Sequence, residues 1–277
     1  MIILFLGKAG SGKTPAAKAM EKYWKDSFVI DGDELRAETN NSDISYLGRE
    51  ANMHLGLSRA RRLSDLGFTV FVAMQAPIKE IRQQYLNEYD ICVIMKNSGL
   101  NQKEKDGYNK NFNPDYSDID NYYNIENFSA AEFSEKFIPK VLVPARFQGF
   151  HKGHKVVLEE AKRISPDITI ALRTDDGDII DLDKNIELLK SRNYKVIKTP
   201  SINEDWSYLS KEYDYLVQGN PMVIKKFNLD KIKLKFIPRY GTVSGTDIRN
   251  NLENNHNNID TDVKELIKTS LKSSKKI

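Results

Sequence analysis

Two short stretches carry residue types whose spacing suits phosphate chemistry. The first is Gly7-Lys8-Ala9-Gly10-Ser11-Gly12-Lys13-Thr14, of the form G-x-x-x-x-G-K-[ST], placed after an apolar run and before a helical pattern. Gly7, Gly10 and Gly12 let the backbone, with Ser11, wrap phosphates closely, and the helix start adds positive potential. Lys13 reaches the β- and γ-phosphates of ATP, and Thr14 helps to hold Mg2+. The second stretch is His151-Lys152-Gly153-His154, again between an apolar run and a helical pattern. Two imidazoles at a helix start can donate hydrogen bonds to a phosphoryl group under attack, and such a displacement needs no covalent nucleophile. Near the other end, Ser244-Gly245-Thr246-Asp247-Ile248-Arg249 offers hydroxyls, backbone N–H groups and an arginine to a triphosphate tail.

Each motif has companions. Phe28-Val29-Ile30 runs into Asp31-Gly32-Asp33-Glu34-Leu35-Arg36, a strand end with two carboxylates and an arginine three positions after the second. One carboxylate can take a hydroxyl proton or hold Mg2+, and the arginine can clamp an anion. Pro15 is tolerated in a first helical turn but removes an N–H from the phosphate cradle, which predicts weaker nucleotide binding.

These residues must be held by alternating strands and helices, the rhythm of a parallel α/β fold. Strands are expected at Ile2–Leu6, Phe28–Ile30, Thr69–Ala73 and Ile91–Met95, with helices at Lys13–Lys25, Arg49–Leu66 and Lys79–Tyr85. Met53, Leu57, Ala60 and Leu63 recur at helical spacing as a buried stripe. The polar stretch 97–123 breaks the rhythm and reads as a lid or an insertion. A short helix near Ser129–Phe137 and then Pro139 close this half, so the expected domains are 1–138 and 139–277. In the second half the expected strands are Val141–Val143, Ile168–Leu172, Lys195–Lys198, Tyr215–Val217 and Leu234–Ile237. Helices are expected near Lys155–Ile164, Lys184–Ser191 and Asp247–Leu252. The fold class is thus α/β, a P-loop kinase domain with a parallel sheet followed by a Rossmann-like domain.

Composition is that of a globular chain: of 277 residues, 40% are hydrophobic and 29% charged, with a net charge of +3. That charge gives no case for nucleic acid or membrane as a partner; small-molecule nucleotides are expected, and a homo-oligomer is compatible. The single cysteine, Cys92, excludes an internal disulfide and reads as a strand residue. The opening apolar run is too short for a signal peptide or a span, so a cytoplasmic protein is expected.

The segment from Asp31 to Arg36 resembles the D-G-D-x-x-R element of adenylylsulfate (APS) kinase. The resemblance continues in Arg49-Glu50-Ala51-Asn52, similar to that family's R-x-x-N element, then in Arg61-Arg62, Gly67, Pro77, Arg82 and the lid-like Lys105-Asp106-Gly107-Tyr108-Asn109-Lys110. It implies that Lys13 and Asp33 are catalytic, with Thr14 and Asp33 at the metal, and that Asp31, Arg36, Arg49 and Asn52 bind the acceptor. Ala76 stands where the family often has serine, which points to a different nucleotide-like acceptor.

The pairing of the histidine motif with Ser244–Arg249 resembles the HxGH nucleotidyltransferases. It implies that His151 and His154 are catalytic and that Ser244, Gly245, Thr246 and Arg249 bind a triphosphate. Arg146–His151 and Gln218-Gly219-Asn220-Pro221 are similar to archaeal-type NMN adenylyltransferases, with Gly149 in place of proline. Arg173-Thr174-Asp175-Asp176 is similar to the S-T-D-E segment of cytidylyltransferases, so ATP and CTP both stay open. ATP sulfurylase shares this superfamily, but residues 139–277 are short for it and the histidine motif opens differently. The expected function is a bifunctional transferase: phosphorylation of a hydroxyl on a nucleotide-like acceptor, plus adenylyl or cytidylyl transfer with pyrophosphate release, both using Mg2+. The alternatives are a nicotinamide riboside kinase joined to an NMN adenylyltransferase, and a nucleotide-sensing regulator with one degenerate domain.

Overall fold

The apolar run Ile2-Ile3-Leu4-Phe5-Leu6 forms strand β1, buried at every position, which is the signature of a parallel strand covered on both faces. In the computed structural model its alternate side chains enter two different cores. Ile2, Leu4 and Leu6 join Met53, Leu57 and Ala60, whereas Ile3 and Phe5 join Ala16, Ala17, Met20 and Phe133. The residues described are 1–96, 114–148, 150–173, 178, 180–199, 201, 203–238 and 259–274.

The chain divides into two compact units, Met1–Ile138 with Lys162–Pro166, and Pro139–Ala161 with Asp167–Ile277. In the first, β1 is followed by α1 (Lys13–Tyr23), β2 (Ser27–Asp31), α2 (Gly32–Glu38), α3 (Tyr46–Asp65), β3 (Thr69–Ala73), α4 (Lys79–Tyr85), β4 (Ile91–Lys96), β5 (Tyr122–Asn124) and α5 (Ala130–Phe137). The strands form one sheet in the order β2-β3-β1-β4-β5, with every pairing parallel. The Met53–Leu57–Ala60 stripe is buried as its spacing predicts, with Leu63 partly buried beside it. Cys92 lies on β4, where burial pushes its thiol up to about 12.

Two features depart from the expected elements. Asp31 caps α2, a short helix that the sequence rhythm did not suggest because its seven residues carry only one apolar anchor, the buried Leu35. The C-terminal part of the stretch 97–123 contains regular structure: Tyr122 and Tyr123 begin β5, paired with Ile94 and Met95. Aromatic side chains suit a pleated surface, and this outweighs the polar neighbours. Residues 97–113, which hold the rest of the expected lid, lie outside the described residues.

The second unit contains β6 (Val141–Ala145), α6 (Lys152–Ile164), β7 (Ile168–Leu172), α7 (Leu182–Ser191), β8 (Lys195–Lys198), a 3-10 turn at Ser207–Lys211, β9 (Tyr215–Gln218), α8 (Pro221–Ile224), β10 (Lys233–Phe236) and α9 (Thr261–Ser274). Its all-parallel sheet has the order β10-β9-β6-β7-β8. Counted within the unit this is 3-2-1-4-5, a doubly wound order whose switch point lies between β6 and β9. Ligands in such sheets bind at that crevice, beyond the carboxyl ends of the strands. Leu142 and Leu216 pack with Trp206, Leu209, Val223 and Phe227 on one side of it. The helix expected at Asp247–Leu252 lies outside the described residues. No described helix is long and apolar enough to cross a membrane.

Candidate functional sites

The first site grows from the end of β1. Gly7, Gly10 and Gly12 all have positive φ, and Gly12 is the left-handed residue before α1. A Cβ at Gly12 would meet the terminal methyl of Ile125, which would have to turn aside, and the left-handed backbone itself demands glycine there. Lys13 is buried, and its Nζ donates to the Lys8 carbonyl (2.6 Å) and lies 3.4 Å from Ser11 Oγ, across the loop it closes. Pro15 costs the helix no bond, because it sits among the first residues, whose N–H groups have no partner within the helix.

The Thr14 hydroxyl donates to Asp31 Oδ2, while Asp31 Oδ1 accepts from the backbone N–H groups of Asp33 (2.8 Å) and Glu34 (3.2 Å). The carboxylate beside Thr14 is therefore Asp31, buried at the end of β2; Asp33 stands exposed one step further along the cavity wall. Lys13, Thr14, Asp31 and Asp33 line one cavity of about 310 Å³ together with Gly10 and Gly12. Its other wall carries Arg36, Arg49 and Asn52, so every residue assigned from the sequence to the acceptor reaches the same space.

The arginines are braced. Arg36 donates to the carbonyl oxygens of Asp43 (2.6 Å), Asn41 (3.4 Å) and Gly48 (3.3 Å), shaping the loop ahead of α3. Arg49 donates through Nε to the Ile44 carbonyl (2.9 Å) and through Nη1 to Gln75 Oε1. Asn52 gives its Nδ2 to the Gly32 carbonyl (3.1 Å), and its Oδ1 is buried with no partner among the described residues. Gln75 lines the cavity as well. Sequence reasoning passed over it, since only the fold shows that the turn after β3 faces the arginines of α3. That turn is held by Arg82, almost wholly buried, which donates to the Ala76 carbonyl (2.7 Å), to the Asp115 carbonyl (2.9 Å) and to Asp118. The Tyr116 hydroxyl donates to the Gln75 carbonyl, and burial pushes that phenol above its ordinary range.

Thr14, Asp31 and Asp33 offer a hydroxyl and two carboxylates, hard oxygen donors. Among the described residues no cluster of three or more acidic, histidine or cysteine side chains forms a metal cage. One or two protein oxygens completed by phosphate and water suit Mg2+, so the residues fit that ion.

The second site lies at the carboxyl ends of β6 and β9. His151 Nδ1 accepts from the Gly153 N–H (3.1 Å), and His154 Nδ1 accepts from the His151 N–H (3.3 Å). In a neutral imidazole whose Nδ1 accepts, the proton resides on Nε2. Both rings thus keep an Nε2–H donor, and they stack with centroids 3.9 Å apart at the start of α6. Burial, then the neighbouring His151, lowers the His154 pKa well below its ordinary value, so this ring is a neutral donor near pH 7.

A cavity of about 260 Å³ opens in front of the rings, lined also by Arg146, Gln148, Arg173 and Trp206. Gln148 is fixed by a reciprocal pair with Ile180: Nε2 donates to its carbonyl and Oε1 accepts its N–H, both at 2.9 Å. Gln218 spans the crevice, donating to the Pro144 carbonyl (2.6 Å) and accepting from Gly219 and Asn220. Trp206 is fully buried, and its indole N–H has no partner among the described residues. The sequence carried no signal for it beyond the rarity of tryptophan. Ser244, Gly245, Thr246, Arg249, Gly149 and Thr174–Asp176 lie outside the described residues. Past Ser244–Arg249, Ile259 bridges His151 and Asp260 pairs with Lys155 (2.5 Å) and Arg192 (2.9 Å).

Comparison with known families decides the class of the first site. Residues 1–113 match the family model of adenylylsulphate kinase. The N-terminal unit is thus an adenylylsulphate-kinase-like nucleotide kinase domain; the match stops short of the second unit. Among solved structures, APS kinase CysC of Mycobacterium tuberculosis, in complex with AMPPNP and APS, is 19% identical, covers 49% of this chain and 93% of its own, and has a TM-score of 0.36. A sugar kinase from Janibacter sp. HTCC2649 is 11% identical over 49% of this chain and 90% of its own, with a TM-score of 0.38. A chain of the Pnkp1/Rnl/Hen1 complex is 12% identical over 87% of this chain and 97% of its own, with a TM-score of 0.32. No curated protein matches the sequence.

Proposed function

We propose that the chain is a bifunctional transferase: an ATP-dependent kinase acting on a hydroxyl of a nucleotide-like substrate, joined to a nucleotidyltransferase that releases pyrophosphate. The kinase half is carried by one observation, the convergence of Lys13 and Thr14 with Asp31, Asp33, Arg36, Arg49 and Asn52 on a single cavity. In this reading Lys13 leaves the Lys8 carbonyl for the β- and γ-phosphate oxygens of ATP. Thr14 and Asp31 hold Mg2+, which neutralises phosphate charge and aligns the transferred group. Asp33, exposed on the wall, takes the proton of the attacking hydroxyl. Arg36 and Arg49 attract the anionic part of the second substrate.

The transferase half rests on the two stacked imidazoles. Their Nε2–H donors suit the oxygens of an α-phosphate, whose charge grows as a phosphorylated small molecule attacks and pyrophosphate leaves. Arg146 and Arg173 supply positive charge in the same crevice. ATP or CTP is the donor.

The test is a screen in which ADP and pyrophosphate are followed separately with the full chain and Mg2+. ATP is offered with adenosine 5′-phosphosulfate and with nicotinamide riboside; ATP and CTP are each offered with nicotinamide mononucleotide and glycerol 3-phosphate. ADP that depends on one acceptor supports the kinase half, and pyrophosphate that depends on one triphosphate and one phosphorylated compound supports the transferase half. Nucleotide binding without either product would favour the sensor reading.

A further inference from the structure

The kinase cavity contains two carboxamides, each with one end tied and the other unused. Asn52 spends its Nδ2 on the Gly32 carbonyl (3.1 Å), which leaves Oδ1 as a hydrogen-bond acceptor without a donor among the described residues, in a side chain only 8% exposed. Gln75 spends its Oε1 on Arg49, which leaves the Nε2–H2 group as a donor with no partner among the described residues. A buried acceptor in the state of Asn52 Oδ1 is unfavourable unless something binds there; Gln75 is half-buried, with its donor in the wall of the same cavity.

The two side chains are neighbours by construction. Arg49 and Asn52 lie three residues apart on α3 and share a face, and it is Arg49 that holds Gln75. The turn presenting Gln75 is rigid: its carbonyl is bonded by Tyr116, the next residue Ala76 has a positive φ of 36°, and buried Arg82 donates to the Ala76 carbonyl. Fixed polar groups in a formed cavity discriminate between ligands better than mobile ones, because no ordering cost is incurred on binding.

Building on the kinase reading above, we infer that Asn52 and Gln75 together select its second substrate through a group that sets a hydrogen-bond donor beside an acceptor. The ligand's N–H goes to Asn52 Oδ1, and its acceptor atom takes a proton of Gln75 Nε2. The amine-bearing edge of adenine and the carboxamide of nicotinamide both hold this pattern on a rigid planar group, whereas the hydroxyls of a sugar phosphate rotate between donor and acceptor.

The experiment uses the full chain with ATP, Mg2+ and either adenosine 5′-phosphosulfate or nicotinamide riboside. Each is paired with an analogue lacking the exocyclic N–H, the 6-unsubstituted purine or the 3-acetylpyridine. Gln75→Met removes both polar ends without adding charge, and Gln75→Glu keeps the oxygen for Arg49 while deleting the donor. For whichever compound is phosphorylated, both variants should raise its KM about tenfold, the loss of one hydrogen bond. The kcat and the KM for ATP should stay within about threefold, and the amine-less analogue should cost wild type about tenfold in KM. An unchanged KM in both variants, or an analogue used as well as its parent, overturns the inference and leaves the kinase standing. If wild type neither phosphorylates nor binds either compound, the kinase reading itself falls and the inference with it.

Discussion

At His154 the acid–base behaviour follows from position. The ring is held neutral by burial and by His151, so its folded pKa is depressed, while in the unfolded chain it returns to the ordinary 6.5. The sign is fixed by linkage: below pH 6.5 the unfolded state takes up a proton that the folded state refuses, so stability is lost as pH falls from there towards the depressed value. Urea unfolding at pH 7.5 and pH 5 should show a lower midpoint at the acid value, and His154→Gln should shrink the difference. An undiminished difference in that variant would place the loss elsewhere. On the kinase side, Lys13→Ala should lower phosphorylation by at least about a hundredfold, since the side chain acts on charge developing at the transferred group. The P-loop was legible because its geometry is local: the positive φ of Gly7, Gly10 and Gly12 and the helix that starts at Lys13 follow from neighbours in sequence. The carboxylate that Thr14 meets was not. Which carboxylate meets Thr14 depends on where β2 ends and α2 begins, and the capping bonds from Asp33 and Glu34 assign that place to Asp31. Gln75 and Trp206 were invisible for the same kind of reason, since their roles depend on what the fold sets opposite them.

At the scale of elements, two junctions bear most of the geometry. The β1–α1 turn depends on Gly12, whose φ of 87° is strained for any side chain. Gly12→Ala should destabilise the protein by about 1–3 kcal/mol, the usual cost of forcing a side chain into left-handed backbone. It should weaken ATP binding at the same time, measured by denaturant unfolding and nucleotide titration. The turn after β3 depends on Arg82, whose charge is met by Asp118 and two carbonyl oxygens. Arg82→Met leaves those groups unpaired and should cost about 3–5 kcal/mol. It should also raise the KM of the second substrate, because the turn carries Gln75; a variant as stable as wild type would contradict the bracing assigned to Arg82. Most strands and long helices could be read from the sequence, because apolar runs and helical spacing report burial directly. The elements missed were α2, β5, α8 and α9. The first three have seven residues or fewer, too few for a periodic pattern, and α9 sets its buried Val263 and Ile267 among charged neighbours.

For the whole molecule, the chain builds two parallel sheets of different strand order, each with a cavity beside the helix that follows its central strand. The alternation of strand and helix announced both sheets; neither the order of the strands nor the lining of the cavities follows from that rhythm. The central claim is that Lys13 and His154 serve separate reactions. Its most direct test is to follow ADP and pyrophosphate separately in wild type, Lys13→Ala and His154→Ala, with folding checked by circular dichroism. Lys13→Ala should lose ADP formation and keep pyrophosphate release, and His154→Ala should do the reverse. A folded variant that loses both products, or neither, would contradict the account.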